Sequence, residues 1–262
     1  MTTHTLLARI YNPRQLRQIE DMLRLPFEGL DVEAKVLGAA VNRWVQLDVS
    51  GEDEAIATNY LTKEFGFCPT AFENVQKNAT LKGYIVELGK STEELRVDVG
   101  VFQPTTVYAA IPLRHLQAEL VDGRKLALKE IAELFGFYED LPVNVKITTV
   151  DKAENRMEAE LSTVQVEKYV SWQESLLDRL IVLGSSLHEV KRTLDYTGLN
   201  RDIIVVEPLG TFEHALTCKL GTDAAGLISK IGRNLRNARF TVFNPRKIRQ
   251  FLTLATSPNI DK

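Results

Sequence analysis

Hydrophobic and polar positions over residues 1–77 follow the pattern of a mixed helix and strand unit. TLLARIY predicts a first strand, and Asn12 before Pro13 predicts the start of a helix, because these residues favour the N-cap and the first helical position. A hairpin at LDVEAKVL and RWVQLDV, a helix at about 52–65 and a short strand at TAFENV follow. The order strand-helix-strand-strand-helix-strand predicts a ferredoxin-like unit.

Residues 79–163 are dominated by strand patterns. Alternate positions from Leu95 to Val101 are apolar, as expected of a half-buried strand. Three strands, at LKGYIVEL, ELRVDVGVF and TTVYAAIPL, precede a helix at about 125–137, and two strands, at PVNVKITTVD and RMEAELS, follow it. Three strands, a helix and two strands is the order of a five-stranded OB barrel.

Residues 164–262 begin with a connecting helix, predicted at about 166–180, and then repeat the pattern of the first unit. RLIVLG predicts a strand, and Ser186 with Glu189 forms the capping-box pattern that begins a helix. Strands at DIIVVEPL and EHALTCKL, a helix after Asp223, a strand at ARFTVF and a short helix from 245 to about 254 follow. This order predicts a second ferredoxin-like unit, more clearly than at the N-terminus.

Several segments of the predicted barrel occur in the order of an S1-type OB domain. GYIVELGK, LRVDVG, AAIPLRHL and PVNVKITTVDKAENRMEAELS carry this similarity, so the barrel resembles a divergent S1-like domain. S1 domains carry an aromatic-rich first hairpin that stacks on RNA, whereas this chain has ELGKSTEEL there, without a ring. The groups left for RNA binding on the barrel, each equally explained as barrel core or rim, are Tyr84, Phe102, Tyr108, Arg114 and His115.

The whole chain, an α+β protein with two ferredoxin-like units flanking an S1-like OB barrel, is similar to a family of uncharacterised archaeal proteins. RLIVLG, DIIVVEPLG, CKLGTDAAGLISKIGRNL and VFNP carry that similarity. The family has no assigned function to transfer, so the resemblance implies an archaeal, cytoplasmic setting. An S1 domain followed by a ferredoxin-like domain is also similar in architecture to the archaeal initiation factor two alpha subunit, but architecture does not give function.

Charge is distributed unevenly along the 262 residues. The segment 224–260 contains no Asp or Glu and carries +7, which leaves −10 for the rest of a chain whose net charge is −3. On a helical wheel, Lys230, Arg233 and Arg236 lie opposite an apolar stripe, which predicts one helix that presents them outward. We call the cations of this segment the basic face: Lys230, Arg233, Arg236, Arg239, Arg246, Lys247 and Arg249.

Three explanations of the basic face remain open at this point. Charge separated in this way indicates a surface that meets a polyanion, here RNA or a ribonucleoprotein. The face is otherwise a docking surface for an acidic protein or for an acidic part of the same chain. The third explanation is a solvated face whose arginines stabilise the C-terminus of a helix.

Motifs for catalysis and for metal binding are poor. The sequence contains no Gly-x-Ser-x-Gly, His-Glu-x-x-His or Gly-x-Gly-x-x-Gly pattern. The four histidines are scattered, and no ligand pair at metal spacing is predicted except His188 beside Glu189, which capping explains. Glu158 and Glu160 share one face of a strand and are predicted to be solvated. The sequence therefore predicts a protein that is not an enzyme and has neither a metal nor a cofactor.

Cysteine usage and hydropathy indicate a cytoplasmic protein. Cys68 and Cys218 are far apart and form neither a disulfide framework nor a metal motif, which is typical of a reducing compartment. No window approaches the roughly 20 apolar residues that a membrane span requires.

These patterns predict a non-enzymatic RNA-binding protein associated with translation, the ribosome or RNA metabolism. The basic face and the OB barrel would form its binding surface. Two alternatives remain: a protein-interaction adaptor that uses exposed sheet edges, and a regulatory protein that binds a small molecule between its ferredoxin-like units.

Overall fold

Strands and helices alternate from the start of the computed structural model, which describes residues 2–254. The first unit contains β1 Thr2–Arg9, α1 Arg14–Arg24, β2 Val32–Ala39, β3 Trp44–Gly51 and α2 Glu54–Glu64. Its strands form an antiparallel sheet in the order β1-β3-β2. Because the apolar residues of α1 recur every three or four positions, the helix buries one face in the core of this unit.

The central unit contains a closed barrel. Its elements, in chain order, are β4 Thr70–Ala71, β5 Thr80–Val86, β6 Glu94–Asp98, β7 Val101–Gln103, β8 Ala109–Pro112, α3 Leu113–Leu120, α4 Leu128–Phe135, β9 Pro142–Asp151 and β10 Arg156–Leu161. Five strands close in the order β10-β8-β6-β5-β9. Strands β8 and β10 are parallel, and the other neighbours are antiparallel. The closed five-stranded sheet is consistent with an OB-like barrel.

The last strand predicted for the first unit pairs with a strand of the central unit instead. Within TAFENV, β4 pairs in parallel with β7, and a 3-10 turn begins at Phe72. Within residues 2–254, the free edge of β1 forms an isolated bridge between Leu6 and Phe67 and no further strand pairing. Phe72 is buried in the core of the barrel, which draws this segment away from the first sheet. The prediction of a fourth strand in the first sheet is therefore wrong.

The predicted strand ELRVDVGVF is divided into β6 and β7 at Gly100. Gly100 has a φ of 81°, a left-handed conformation that side chains disfavour. A Cβ atom there would lie 2.5 Å from Sγ of Cys68. Glycine therefore permits both the break in the strand and the close approach of the segment that carries β4.

Two helices, rather than one, lie between the third and fourth barrel strands. The helix predicted at about 125–137 is α4, which ends at Gly136 in a left-handed conformation. Helix α3 follows β8 directly and was not predicted. Its Leu116 and Leu120 are four residues apart and buried on one face.

The third unit contains α5 Thr163–Glu174, β11 Arg179–Leu183, α6 Leu187–Thr197, β12 Ile203–Pro208, β13 Glu213–Cys218, α7 Ala224–Ile231, β14 Arg239–Phe243 and α8 Pro245–Leu254. The sheet order is β12-β13-β11-β14, with all neighbours antiparallel. Strands β11 and β12 are thus parallel to each other on either side of β13, a split βαβ arrangement.

The capping box predicted before α6 is confirmed. The backbone N of Glu189 donates to Oγ of Ser186 (3.3 Å), and the backbone N of Ser186 donates to Oε2 of Glu189 (2.9 Å). The helix ends at Gly198 in a left-handed conformation, as its sequence indicates.

The connecting helix is shorter than predicted. Ser162 caps its start by accepting a hydrogen bond from the backbone N of Gln165 (3.2 Å). The helix ends at Glu174, so Leu180, which was predicted to continue its stripe, lies in β11. No helix within residues 2–254 is long and apolar enough to cross a membrane.

The barrel and the third unit share one hydrophobic core. Tyr169 of α5 stacks on Phe243 of β14, with ring centroids 6.0 Å apart and an interplanar angle of 12°. Phe135 of α4 and Trp172 of α5 approach the same Phe243 ring edge-on. Because such large rings are buried together, separating the two units would expose much of this core to water.

Candidate nucleic-acid interface

The cations of the basic face are all exposed on the third unit. They occupy α7 (Lys230), the turns that follow it (Arg233 and Arg236), the start of β14 (Arg239) and α8 (Arg246, Lys247 and Arg249). Residues 255–260 of the acid-free segment lie outside the described residues. Helix α8 also packs on α4 and α5, so part of the face adjoins the contact between the barrel and the third unit.

Lys230, Arg233 and Arg236 do not lie on one helix as predicted. Helix α7 has eight residues and ends at Ile231, and Gly232 follows it. The backbone N atoms of Asn234 and Leu235 both donate to the carbonyl of Ile231, which closes the chain into turns. Glycine and asparagine have low helix propensity, a physical reason for this early end. The cations nevertheless remain outward, because Leu235 is buried beneath them.

One member of the basic face is anchored to the barrel. Nη1 of Arg239 lies 3.1 Å from Oδ2 of Asp140, whose side chain is 1% exposed. Within residues 2–254, none of the other six cations forms an ion pair. Arg239 therefore fits the alternative of intramolecular docking. Among the other six, Arg246 and Lys247 have Asp178 nearby, and their charges lower the pKa of that carboxyl group against the burial that raises it.

The barrel residues suggested for RNA binding do not share one surface. Tyr84 is fully buried, with its ring 5.4 Å from that of Trp44, so its prediction as a stacking group is corrected. Phe102 and Tyr108 are half-buried near the β7 end of the barrel. Arg114 is exposed on α3. The remaining residue, His115, faces acidic side chains.

His115, Glu119 and Glu160 form a group that the sequence interpretation missed. His115 and Glu119 lie four residues apart on α3, and one ligand atom from each of the three residues lies within 4.8 Å of the others. Imidazole and carboxylate are common ligands of divalent metals, so the prediction that no such spacing exists is wrong. Nζ of Lys146 lies 2.9 Å from Oε1 of Glu160. The carboxylate of Glu160 therefore also has a positively charged partner within the protein.

The carboxyl group of Glu119 titrates unusually. Burial raises its pKa to about 7, nearby Glu160 also raises it, and a hydrogen bond from the backbone N of Leu161 lowers it. The sequence could have indicated Glu119 through its four-residue spacing from His115 on α3. Glu160 lies on β10, so no local pattern connects it with these two residues.

A buried polar network lies where the three units meet. Arg9 of β1 pairs with Asp98 of β6 and, at 3.3 Å, with Asp140, which precedes β9. Arg43 and Arg239 add further contacts to Asp140. The Arg9 guanidinium also lies over the Trp44 ring, 4.5 Å from its centroid. All three units thus supply charges to one network.

Glu213 of β13 forms the other half of this network. Its Oε1 accepts a hydrogen bond from the hydroxyl of Tyr11 (2.8 Å), and its Oε2 accepts one from the hydroxyl of Tyr84 (3.3 Å). Burial raises the pKa of Glu213 to about 7, although these hydrogen bonds and the nearby Lys82 lower it. We call the fully or largely buried members of this network the buried junction: Arg9, Tyr11, Tyr84, Asp98, Asp140 and Glu213.

His214, the next residue on β13, is also buried, but its pKa is lowered rather than raised. Burial lowers the pKa of its imidazole to about 4, against a hydrogen bond to the carbonyl of Ser185 that raises it. The distance from Nε2 to that carbonyl oxygen is 2.9 Å. The ring is therefore neutral near pH 7 and positions the loop before α6.

Models of one family match most of the chain. The DUF2110 N-terminal domain matches residues 4–71, the DUF2110 central domain matches 75–173, and the DUF2110 C-terminal domain matches 177–243. The chain therefore belongs to the DUF2110 family, and the central model includes α5, which was predicted to belong to the third unit.

Other comparisons add little. No curated protein matches the chain. Among solved structures, it is similar to a chain in the crystal structure of the a/eIF2alpha-aDim2p-rRNA complex from Pyrococcus horikoshii OT3, at 8% identity and a TM-score of 0.26. The match covers 47% of this chain and 64% of that one, which is less than two thirds of its length.

Proposed function

We propose that this DUF2110 family member is a non-enzymatic, cytoplasmic RNA-binding protein of translation, the ribosome or RNA metabolism. The observation that carries the proposal is the set of six exposed cations of the basic face that have no ion-pair partner within residues 2–254. Phosphate groups would supply the missing partners, and the acidic remainder of the chain would keep other surfaces away from RNA. The S1-like character of the barrel and the ferredoxin-like character of its flanking units belong to this proposal.

Binding would be electrostatic and would tolerate different sequences. Each phosphate neutralised on a single strand contributes about 0.7 to the slope of log K against log salt. The six cations lie on α7, on the turns after it and on α8, rather than on one face of one helix. They therefore suit a flexible single strand, which can bend to contact them.

The test measures binding of a mixed single-stranded RNA and of total ribosomal RNA from about 50 to 300 mM salt, a range over which phosphate contacts are lost. The variant Arg233→Ala/Lys247→Ala/Arg249→Ala removes three unpaired cations. The control, Arg24→Ala/Lys90→Ala/Lys129→Ala, removes three exposed cations that are each paired with an acid. Both variants change the net charge equally.

We expect the first variant to reduce the salt slope by about 2 and the control to leave it unchanged. Absence of RNA binding by the natural protein at the lowest salt would overturn the proposal. Equal losses in both variants would also contradict it, because they would show a response to net charge rather than to the basic face.

A specific observation supports the adaptor alternative. Strand β12 is at the edge of its sheet, and Ile204 and Val205 on it are 55% and 51% exposed. Exposed apolar residues on an edge strand are typical of surfaces that pair with another chain. Two results together would favour the adaptor function. The natural protein would bind no RNA, and Ile204→Lys/Val205→Lys would abolish its recovery in a defined protein complex.

A further inference from the structure

A polar cleft of about 450 Å³ lies between the first and third units. One wall is the start of α1, and the other is formed by α6 and the turns after α7. Two hydrogen bonds hold the walls together: Nε2 of Gln15 donates to the carbonyl of Gly184 (2.9 Å), and Nε2 of Gln18 donates to Oε1 of Glu189 (3.0 Å). The volume of the cleft is within the usual range of ligand sites, about 300–1,000 Å³.

The cleft carries an excess of positive charge. Three arginines line it, Arg14, Arg192 and Arg236, and each is exposed and without an ion pair within the described part of the chain. The acid in its lining, Glu189, is already engaged by Gln18 and by the backbone N of Ser186. Three guanidinium groups around one opening suit the oxygens of a phosphate, which they can contact in a bidentate manner.

An aromatic ring stands beside these guanidinium groups. Tyr196 lines the same cleft and is 83% exposed, although most of its ring is apolar. It follows Arg192 by four residues on α6, so the two side chains lie on one face of the helix. Asn234 and Asn237, in the turns after α7, supply amide donors and acceptors on the same wall as Tyr196.

We infer that this cleft binds one unpaired nucleotide of a single-stranded RNA, with the phosphate on Arg14, Arg192 and Arg236 and the base stacked on Tyr196. The inference rests on the proposed RNA-binding function and gives it a second contact, at the joint between the first and third units. Stacking on an exposed tyrosine requires a free base face, so duplex RNA would not use this contact. Arg236 belongs to both the cleft and the basic face, which makes the two surfaces continuous.

The experiment uses the full chain and compares a single-stranded RNA of about a dozen nucleotides with a duplex of the same length, since a single domain covers about 4–16 nucleotides. Free AMP serves as the probe for a small-molecule site. The variants are Tyr196→Ala, Tyr196→Phe and Arg14→Ala/Arg192→Ala. Tyr138→Ala, on the barrel, and Arg24→Ala/Arg201→Ala are the matched controls, and circular dichroism checks that each variant is folded.

We expect Tyr196→Ala to weaken single-stranded RNA binding between about 5-fold and 100-fold, with the salt slope unchanged, because stacking rather than charge is lost. Tyr196→Phe should bind like the natural protein, and the duplex should not respond to either change. Arg14→Ala/Arg192→Ala should lower the salt slope by about 0.7, because the cleft neutralises one phosphate. The controls should leave affinity and slope unchanged.

The inference would be overturned if the cleft variants bound RNA like the natural protein while the Arg233/Lys247/Arg249 variant lost affinity; the proposed function would then stand without the cleft. Micromolar binding of AMP without binding of RNA would overturn both and indicate a small-molecule site. Equal effects of Tyr196→Ala and Tyr138→Ala would also overturn the inference, since they would show no preference for the cleft.

Discussion

The buried junction and the basic face both contain arginines, yet their surroundings differ completely. Arg9 is 1% exposed and has Asp98 and Asp140 as partners. Arg233 of the basic face is exposed, with no ion pair within residues 2–254. A buried charge must be paired because desolvation is costly, whereas an exposed one remains hydrated without a partner.

This difference separates two roles for the same residue type. The junction connects three units through contacts between residues that are far apart in the sequence, so its charges hold the fold. Among the described residues, Arg239 alone of the basic face forms an ion pair, so the other charges of this face remain exposed to a ligand. Substitutions in the junction should therefore change stability, and substitutions in the face should change binding.

The largest effect is expected for Arg9→Met. The change leaves Asp98 and Asp140 buried without this partner, and breaking a buried ion pair in this way lowers the free energy of unfolding by about 3–5 kcal/mol. Urea unfolding at neutral pH measures the difference. Arg233→Ala, as the exposed counterpart, should stay within about 0.5 kcal/mol of the natural protein. Similar losses in the two variants would remove the distinction between the regions.

Glu213 is expected to give the next largest effect, as a dependence on pH. Its pKa is about 7 in the folded protein, above the ordinary 4.5. The associated stability is fully present below about pH 4.5 and is lost as pH rises through 7, by about 2–3 kcal/mol. In Glu213→Gln the side chain stays neutral, so this loss should be absent when urea unfolding at pH 5 is compared with pH 8. Glu119→Gln, at a half-exposed carboxyl group, should change the dependence less.

His214 should show the opposite dependence. Its pKa is about 4 in the folded protein, below the ordinary 6.5, so its contribution is present above about pH 6.5 and is lost as pH falls through 4. Between about pH 4.5 and 6.5 the contributions of His214 and Glu213 therefore oppose each other. Urea unfolding over this range should show His214→Gln losing stability with rising pH and Glu213→Gln gaining it. Parallel slopes in the two variants would contradict this assignment.

Asp223→Ala should give a smaller effect on stability than the substitutions at Arg9 and Glu213. The Asp223 carboxylate accepts hydrogen bonds from the backbone N of Ala225 and of Gly226, both at 3.1 Å, and so caps α7 next to the basic face. Loss of such a cap costs about 1 kcal/mol. Thermal unfolding measures this change. RNA affinity should not fall, because the variant removes a negative charge; a fall would indicate that the position of α7 matters more than its charge.

Local patterns in the sequence predicted local structure well. The Ser186 and Glu189 pattern specified the start of α6, and Asp223 was placed correctly before α7. The alternation after Leu95 predicted a barrel strand, although Gly100 divides it. These features depend on contacts within a few residues, so neighbouring residues contain the information needed to predict them.

The candidate site was predicted only in part. The acid-free segment identified the exposed cations, since charge composition is visible without a fold. Arg9 in TLLARIY and Glu213 in EHALTCKL lie within predicted strands, but the pattern predicted neither their burial nor their partners. The cleft between Arg14 and Arg236, and the approach of Glu160 to His115, combine residues from separate elements.

The sequence alone therefore predicted most strands and helices in their order, the caps of α6 and α7, and the separation of charge along the chain. It missed α3, and it placed the start of α1 at Pro13 with Asn12 as its cap, whereas the helix begins at Arg14. Only the tertiary structure decided that Thr70–Ala71 pairs with β7, that Arg239 is anchored on Asp140, and that Arg9 joins acids 89 and 131 residues away. The physical reason is that burial of large apolar rings sets how the three units pack. That packing brings distant charges together, and a buried charge is stable only where it finds a partner.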